Sequence, residues 1–194
     1  MRKVSAILFL LVACNHRPSP REFSLKMEDS ALHFINGIWY YNKQLFSGTL
    51  TGNYPNGKLE RSAHYILGKE SGWEETYFDN GTLLEKRYYT AGEKDSVHLG
   101  FWENGNKRFE YHFLNGIYNG DYIEWYKGGQ LFKHLHFIAG VDDWGKAWRQ
   151  NGKLYMNFAV KNGRRYGLNN SNLCYSVRNG AGEYSKSIQD SIPK

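Results

Sequence analysis

Trp73-Glu74-Glu75-Thr76-Tyr77-Phe78-Asp79-Asn80-Gly81-Thr82-Leu83-Leu84-Glu85-Lys86-Arg87-Tyr88-Tyr89 decides the fold. It reads as strand, turn, strand. Asn-Gly between two β-rich runs is the strongest short hairpin signal, because a two-residue type I′ turn needs positive φ at both central positions. The same dipeptide turn recurs as Asn56-Gly57, Asn104-Gly105, Gly128-Gly129 and Asn151-Gly152. The turn glycines Gly57, Gly81, Gly105, Gly129 and Gly152 step by 24, 24, 24 and 23 residues. A second series, Gly68, Gly92, Gly116, Gly140 and Gly163, has the same steps. Two glycine series on one period mark a repeat array.

Working outward, five units are expected, at about 48–71, 72–95, 96–119, 120–142 and 143–166. Residues 31–47 read as a worn first unit, with a hairpin turn at Asn36-Gly37 and a strand at Ile38-Trp39-Tyr40-Tyr41. Thr90-Ala91-Gly92-Glu93-Lys94 reads as the link from one hairpin to the next. A two-residue turn fixes a register in which Phe78 faces Leu83, Tyr77 faces Leu84, Glu75 faces Lys86 and Trp73 faces Tyr88. In later units Trp102 then faces Lys107, Glu124 faces Lys133 and Trp148 faces Tyr155. Opposite charges and aromatic pairs meet in this register, which is how cross-strand pairs stabilise a sheet.

In that register the columns Tyr54/Phe78/Trp102/Tyr126/Arg149, Leu59/Leu83/Lys107/Leu131/Leu154 and Tyr65/Tyr89/Phe113/Phe137/Val160 share one face. The other face carries Trp73, Tyr77, Phe101, Trp125, Trp144 and Trp148. Both faces are half aromatic and half polar, so neither is a clean core face. The expected fold is all-β, a single-layer antiparallel β-meander of stacked hairpins. Residues 167–194 break the period; Leu173-Cys174-Tyr175-Ser176-Val177 reads as a capping strand and Glu183 to Lys194 as a frayed tail.

The unit Tyr77-Phe78-Asp79-Asn80-Gly81, with Tyr54-Pro55-Asn56-Gly57-Lys58-Leu59, Trp102-Glu103-Asn104-Gly105 and Trp125-Tyr126-Lys127-Gly128-Gly129, resembles the variant MORN repeat. Asn151-Gly152-Lys153-Leu154 and Lys161-Asn162-Gly163-Arg164 fit as well. This is the form found in bacterial proteins labelled "antitoxin of the YwqK type" or "membrane-binding protein", and it covers about 46–166. Gly128 in place of the turn asparagine, the shortened last unit and Arg149 in an aromatic column depart from the pattern. The resemblance implies hairpin-stacked sheets, no catalysis, and roles in scaffolding, dimerisation or membrane association.

The N-terminus has its own logic. Arg2 and Lys3 precede an apolar run, Ala6 to Val12, that is too short to span a bilayer. The run ends in Leu11-Val12-Ala13-Cys14, which resembles the bacterial lipoprotein signal. That implies removal of residues 1–13 and diacylglycerol on Cys14, with residues 14–30 as lipidated cysteine and tether. Asn15, rather than Asp, implies the outer membrane by the simplest sorting rule. The expected membrane contact is through the acyl chains, which gain about 0.8 kcal/mol per buried CH₂.

Without residues 1–13 the chain has 23 basic and 19 acidic residues, a charge of +4. No block of Lys or Arg occurs, so no nucleic-acid partner is expected. Cys174 then has no second thiol for an internal disulfide. His134-Leu135-His136 places two imidazoles on one strand face, with Asp121 opposite His136 and Ile123 opposite His134. That pair lacks a clear third ligand, so no metal and no cofactor are expected. No nucleophile elbow, phosphate loop or zinc motif occurs, and the glutamates scatter as repeat duplicates rather than a unique pair. The expected activity is therefore binding and not catalysis; a hydrolase using loops at one sheet edge is the remote alternative. Trp73, Tyr77, Phe101, Trp125 and Trp148 are the candidate binding residues. Their rings either pack between hairpins or form an exposed ladder for an envelope protein or, alternatively, a glycan such as peptidoglycan.

Overall fold

The computed structural model describes residues 23–168. Cys14, the signal segment 1–13, Cys174 and the capping strand proposed beyond 168 lie outside the described residues. Within them the chain forms fifteen strands and no helix. These are β1 (Ser24–Lys26), β2 (Leu32–Ile35), β3 (Ile38–Tyr41), β4 (Gln44–Leu45), β5 (Gly48–Asn53), β6 (Leu59–Ile66), β7 (Lys69–Tyr77) and β8 (Leu83–Thr90). They continue as β9 (Glu93–Phe101), β10 (Lys107–Leu114), β11 (Ile117–Trp125), β12 (Leu131–Ile138), β13 (Val141–Trp148), β14 (Leu154–Lys161) and β15 (Arg164–Leu168). Strands β5 to β15 pair in chain order as one antiparallel meander that does not close into a barrel. The expected all-β meander of successive hairpins is what the structure shows.

The two glycine series make two different turns. At the second series the chain has positive φ at both central residues: Ala91 (51°) and Gly92 (88°), Asn115 (49°) and Gly116 (81°). Thr90 pairs with Glu93 and Leu114 with Ile117, so these are the two-residue type I′ hairpins. At the Asn-Gly series only glycine is left-handed; Gly81 has φ 92°. The Phe78 amide donates to the Thr82 carbonyl and the Gly81 amide to the Phe78 carbonyl, both at 2.8 Å. That is a three-residue loop, a type I turn with a bulge at glycine. Asparagine is there for its side chain, since Asn80 Oδ1 accepts from the Thr82 amide at 2.8 Å. Asn56, Asn104 and Asn151 do the same for Lys58, Asn106 and Lys153.

This longer loop corrects the register beside the turns. Tyr77 pairs with Leu83 rather than Leu84, Phe101 with Lys107, and Trp148 with Leu154 rather than Tyr155. A bulge one residue further on restores the expected pairing, so Glu75 faces Lys86, Trp73 faces Tyr88 and Glu124 faces Lys133. The extra residue recurs in every unit, at Glu60, Leu84, Arg108, Phe132 and Tyr155. It also moves the column Leu59/Leu83/Lys107/Leu131/Leu154 opposite Asn53, Tyr77, Phe101, Trp125 and Trp148. The expected assignment of that column to the other face fails for this reason.

The first end is built differently from the rest. Ser24–Lys26, expected in the tether, is a strand that pairs in parallel with β5 and covers the open edge of the sheet. Residues 32–45 form the expected hairpin, but as a separate three-stranded sheet. Its Trp39 amide donates to the Gly68 carbonyl at 2.9 Å, and the Gly68 amide donates to Phe46 at 2.6 Å. The contact is close enough that a Cβ on Gly68 would strike Ile38 and the Trp39 backbone. Leu32, Phe46, Leu50, Ala63 and Tyr65 are buried between the two sheets, joined by Leu25, Met27, Trp39 and Tyr41. Here alone does the array have a two-layer core among the described residues. Elsewhere side chains on each face bury one another.

Candidate functional surfaces

Three surfaces stand out on the meander. The first holds the aromatic residues singled out from the sequence. Tyr77, Phe101, Trp125 and Trp148 end four successive outgoing strands and face Leu83, Lys107, Leu131 and Leu154 directly. They form one row and are all partly buried. Lys107 Nζ lies 5.4 Å from the Trp125 ring. The Tyr77 hydroxyl donates to Glu75 Oε2 at 2.7 Å, and that bond, with burial, pushes the phenol up to about 12. Trp73 lies on the same face but further along the strand. It is 42% exposed, its ring meets Tyr88 edge-on at 5.0 Å, and Lys86 Nζ sits 4.7 Å from it.

The rings of the neighbouring column serve the fold. Tyr54 donates to the Tyr77 carbonyl at 2.8 Å, Trp102 to Trp125 at 3.2 Å, and Tyr126 to Trp148 at 3.0 Å. Each bond crosses to the next unit. This column ties hairpins together through its ring donors, whereas no ring of the row beside it makes such a bond to the next unit among the described residues; both are partly buried.

The second surface is a cleft of about 490 Å³ on the opposite face, across β8 to β12. Its floor is a ring stack. Tyr111 lies between Phe109 (4.3 Å, 11°) and Tyr122 (4.1 Å, 19°), and Phe113 stacks on Tyr118 at 4.5 Å. Phe109 fits because Gly100 opposite it has no Cβ; one there would collide with the ring. His98 is buried beneath, with Nε2 2.8 Å from the Tyr88 carbonyl, and burial lowers its pKa, so it is neutral at pH 7. Arg87 and Arg108 both bind Glu85, the latter at 2.5 Å. Glu124 accepts from Tyr111 (2.8 Å), Tyr122 (2.7 Å) and Lys133 (2.8 Å). Burial raises the Glu124 pKa, but these three donors outweigh it and hold the carboxyl below its ordinary value. Of the five sequence candidates, Trp125 also borders this cleft.

The third surface is the sheet edge made by the type I′ turns. Ile66, Leu67, Leu114, Ile117, Ile138 and Val141 lie there, each 49–63% exposed. Successive hairpins stand roughly 9–10 Å apart, twice the strand spacing, so Leu114, Ile117, Ile138 and Val141 form an apolar rim over two units, separated from Ile66 and Leu67 by the Thr90–Glu93 turn. The Asn-Gly edge is polar throughout and fully exposed. Sequence reasoning missed the rim because it treated these turns as links. The signal was present as Ile66-Leu67 before Gly68 and as aliphatic residues on both sides of Gly116 and Gly140.

The histidine pair sits where the register put it, Asp121 opposite His136 and Ile123 opposite His134. His134 Nε2 is 3.0 Å from Asp121 and His136 Nδ1 is 3.3 Å from Asp143, with Trp144 packed against both rings. Among the described residues no three His, Cys, Asp or Glu side chains converge as a metal set. No protein-family model and no curated protein matches the chain.

Proposed function

We propose that the chain is a non-catalytic binding module of the cell envelope, held by lipid on Cys14, whose repeat sheet docks a protein partner. The observation that carries this reading is the aromatic row Tyr77, Phe101, Trp125 and Trp148, each partly exposed and set opposite Leu83, Lys107, Leu131 and Leu154 over four units. Aromatic and aliphatic side chains arrayed on a rigid sheet give large contact area at small entropic cost. The apolar rim adds exposed surface of the kind that marks interaction sites.

A protein partner is favoured over a glycan by the row's make-up. Three of the four rings face a leucine, and a sugar gains little from leucine. The membrane contact in this reading belongs to the acyl chains. The Cys14→Ser variant then leaves the membrane fraction while keeping partner capture. Capture from a detergent-solubilised envelope falls at least tenfold in Tyr77→Ala/Trp148→Ala. Capture that survives the double variant refutes the row as the docking surface.

A further inference from the structure

We propose that the cleft across β8 to β12 is a second binding site, which takes a short, extended, acidic peptide. It lies on the face opposite the aromatic row, with Trp125 alone of the row at its border, and stands independently of the partner docked there.

Charge carries the argument first. Arg87, Lys94 and Arg108 line the cleft with two carboxylates, Glu85 and Glu124. Both carboxylates are already committed. Glu85 serves two guanidinium groups, and Glu124 is held by Lys133, Tyr111 and Tyr122. Lys94 is exposed and has no carboxylate partner among the described residues; its ammonium lies 5.3 Å from the Phe113 ring. The buried Arg87 Nε also lacks a hydrogen-bond partner. The cleft therefore holds positive charge that the chain itself leaves uncompensated.

The aromatic floor agrees with an anion. Both faces of the Tyr111 ring are covered, by Phe109 and Tyr122. Stacked rings use up their electron-rich faces on each other and leave electropositive edges to the open side. Sugars need free ring faces for stacking, and carboxylates are favoured by ring edges and cations.

Length favours a peptide over a small acid. Lys94 is the second residue of β9, near the type I′ edge, and Arg108 faces the cleft near the Asn-Gly edge. The Lys94 ammonium lies over Phe113, five residues of β10 from Arg108, or roughly 17 Å at 3.3 Å per residue. An extended peptide of about five residues matches that span, with carboxylates at Lys94 and at the Arg87/Arg108 pair and apolar contact along the ring stack.

The test is fluorescence anisotropy of the folded chain with labelled hexaglutamate, hexaglutamine and hexalysine peptides at low and high salt. Hexaglutamate alone is expected to bind, more weakly at high salt, and at least tenfold more weakly to Lys94→Glu. Lys94 makes no ion pair, so that variant folds normally by circular dichroism. Lys146→Glu, on the opposite face, is expected to bind as the parent does. Equal binding of hexaglutamate and hexaglutamine, or an unchanged affinity in Lys94→Glu, overturns the proposal. So does tighter binding of inorganic polyphosphate than of hexaglutamate, which would make the site a generic polyanion trap. Tyr77→Ala/Trp148→Ala leaves hexaglutamate binding intact, which separates a failure here from a failure of the docking row.

Discussion

The Tyr126 hydroxyl donates to the backbone carbonyl of Trp148, 3.0 Å away in the next unit. The side chain three residues before a turn glycine thus reaches over the following turn and ties two hairpins together. Deleting the hydroxyl in Tyr126→Phe should cost about 1 kcal/mol, the usual net value of such a bond. The same column holds Phe78, which has no donor. Phe78→Tyr places a hydroxyl toward Phe101 as Tyr126 does toward Trp148, and should raise stability. Denaturant unfolding of the two variants reads both signs; equal midpoints would show the column to be mere packing.

The type I′ turns carry the second prediction. Ala91 and Asn115 hold equivalent positions with φ 51° and 49°. Left-handed backbone is costly for L-residues, and asparagine tolerates it better than alanine. Ala91→Asn should therefore stabilise, and Asn115→Ala destabilise, each by about 1 kcal/mol. Thermal unfolding measures both. A change of the same sign in the two variants contradicts the turn assignment.

Acid should loosen the array through Glu124. Its folded pKa is lowered, burial notwithstanding, by bonds from Lys133, Tyr122 and Tyr111. A group with a depressed folded pKa adds stability above its unfolded value, and that stability is lost as pH falls through the folded value. Stability should hold from pH 7 down to about 4.5, the ordinary glutamate value, and fall below it. Glu124→Gln should flatten that acid limb, read from unfolding midpoints across pH 7 to 3. An unaltered limb places the acid sensitivity elsewhere.

The apolar rim predicts function apart from stability. Leu114 and Val141 are 51% and 63% exposed. Leu114→Ser/Val141→Ser should change stability by less than about 0.5 kcal/mol per site, yet weaken partner capture. Capture at the parental level would leave the rim without a part in docking.

Much of this architecture was legible in the glycines. Gly57 and Gly68, with their repeats, placed every hairpin of the meander, because positive φ at a fixed period has few other meanings. The turn types were exchanged, since Asn80 looks the same in sequence whether its backbone or its side chain is what the turn uses. That single choice displaced Tyr77 and Trp148 by one residue while leaving Trp73 and Glu75 correctly paired. The first end was less legible. Ser24–Lys26 is too short to show alternation, and the docking of Trp39 on Gly68 is a tertiary contact that no local pattern announces. Trp73, Tyr77, Phe101, Trp125 and Trp148 could be named as a face, but not the bonds by which Tyr54, Trp102 and Tyr126 of the neighbouring column tie the hairpins together. The cleft was invisible for a related reason. Arg87, Lys94 and Arg108 come from different columns and come to line one cleft only once the bulges are in place.

The central claim, that the aromatic row docks a protein, is tested most directly by photo-crosslinking in the intact envelope. A photoreactive residue at position 154, in the row beside Trp148, is compared with one at position 104 on the polar Asn-Gly edge. The account predicts one discrete protein adduct from position 154, lost in the Tyr77→Ala/Trp148→Ala background, and none from position 104. Adducts from both positions, or from position 104 alone, would contradict it.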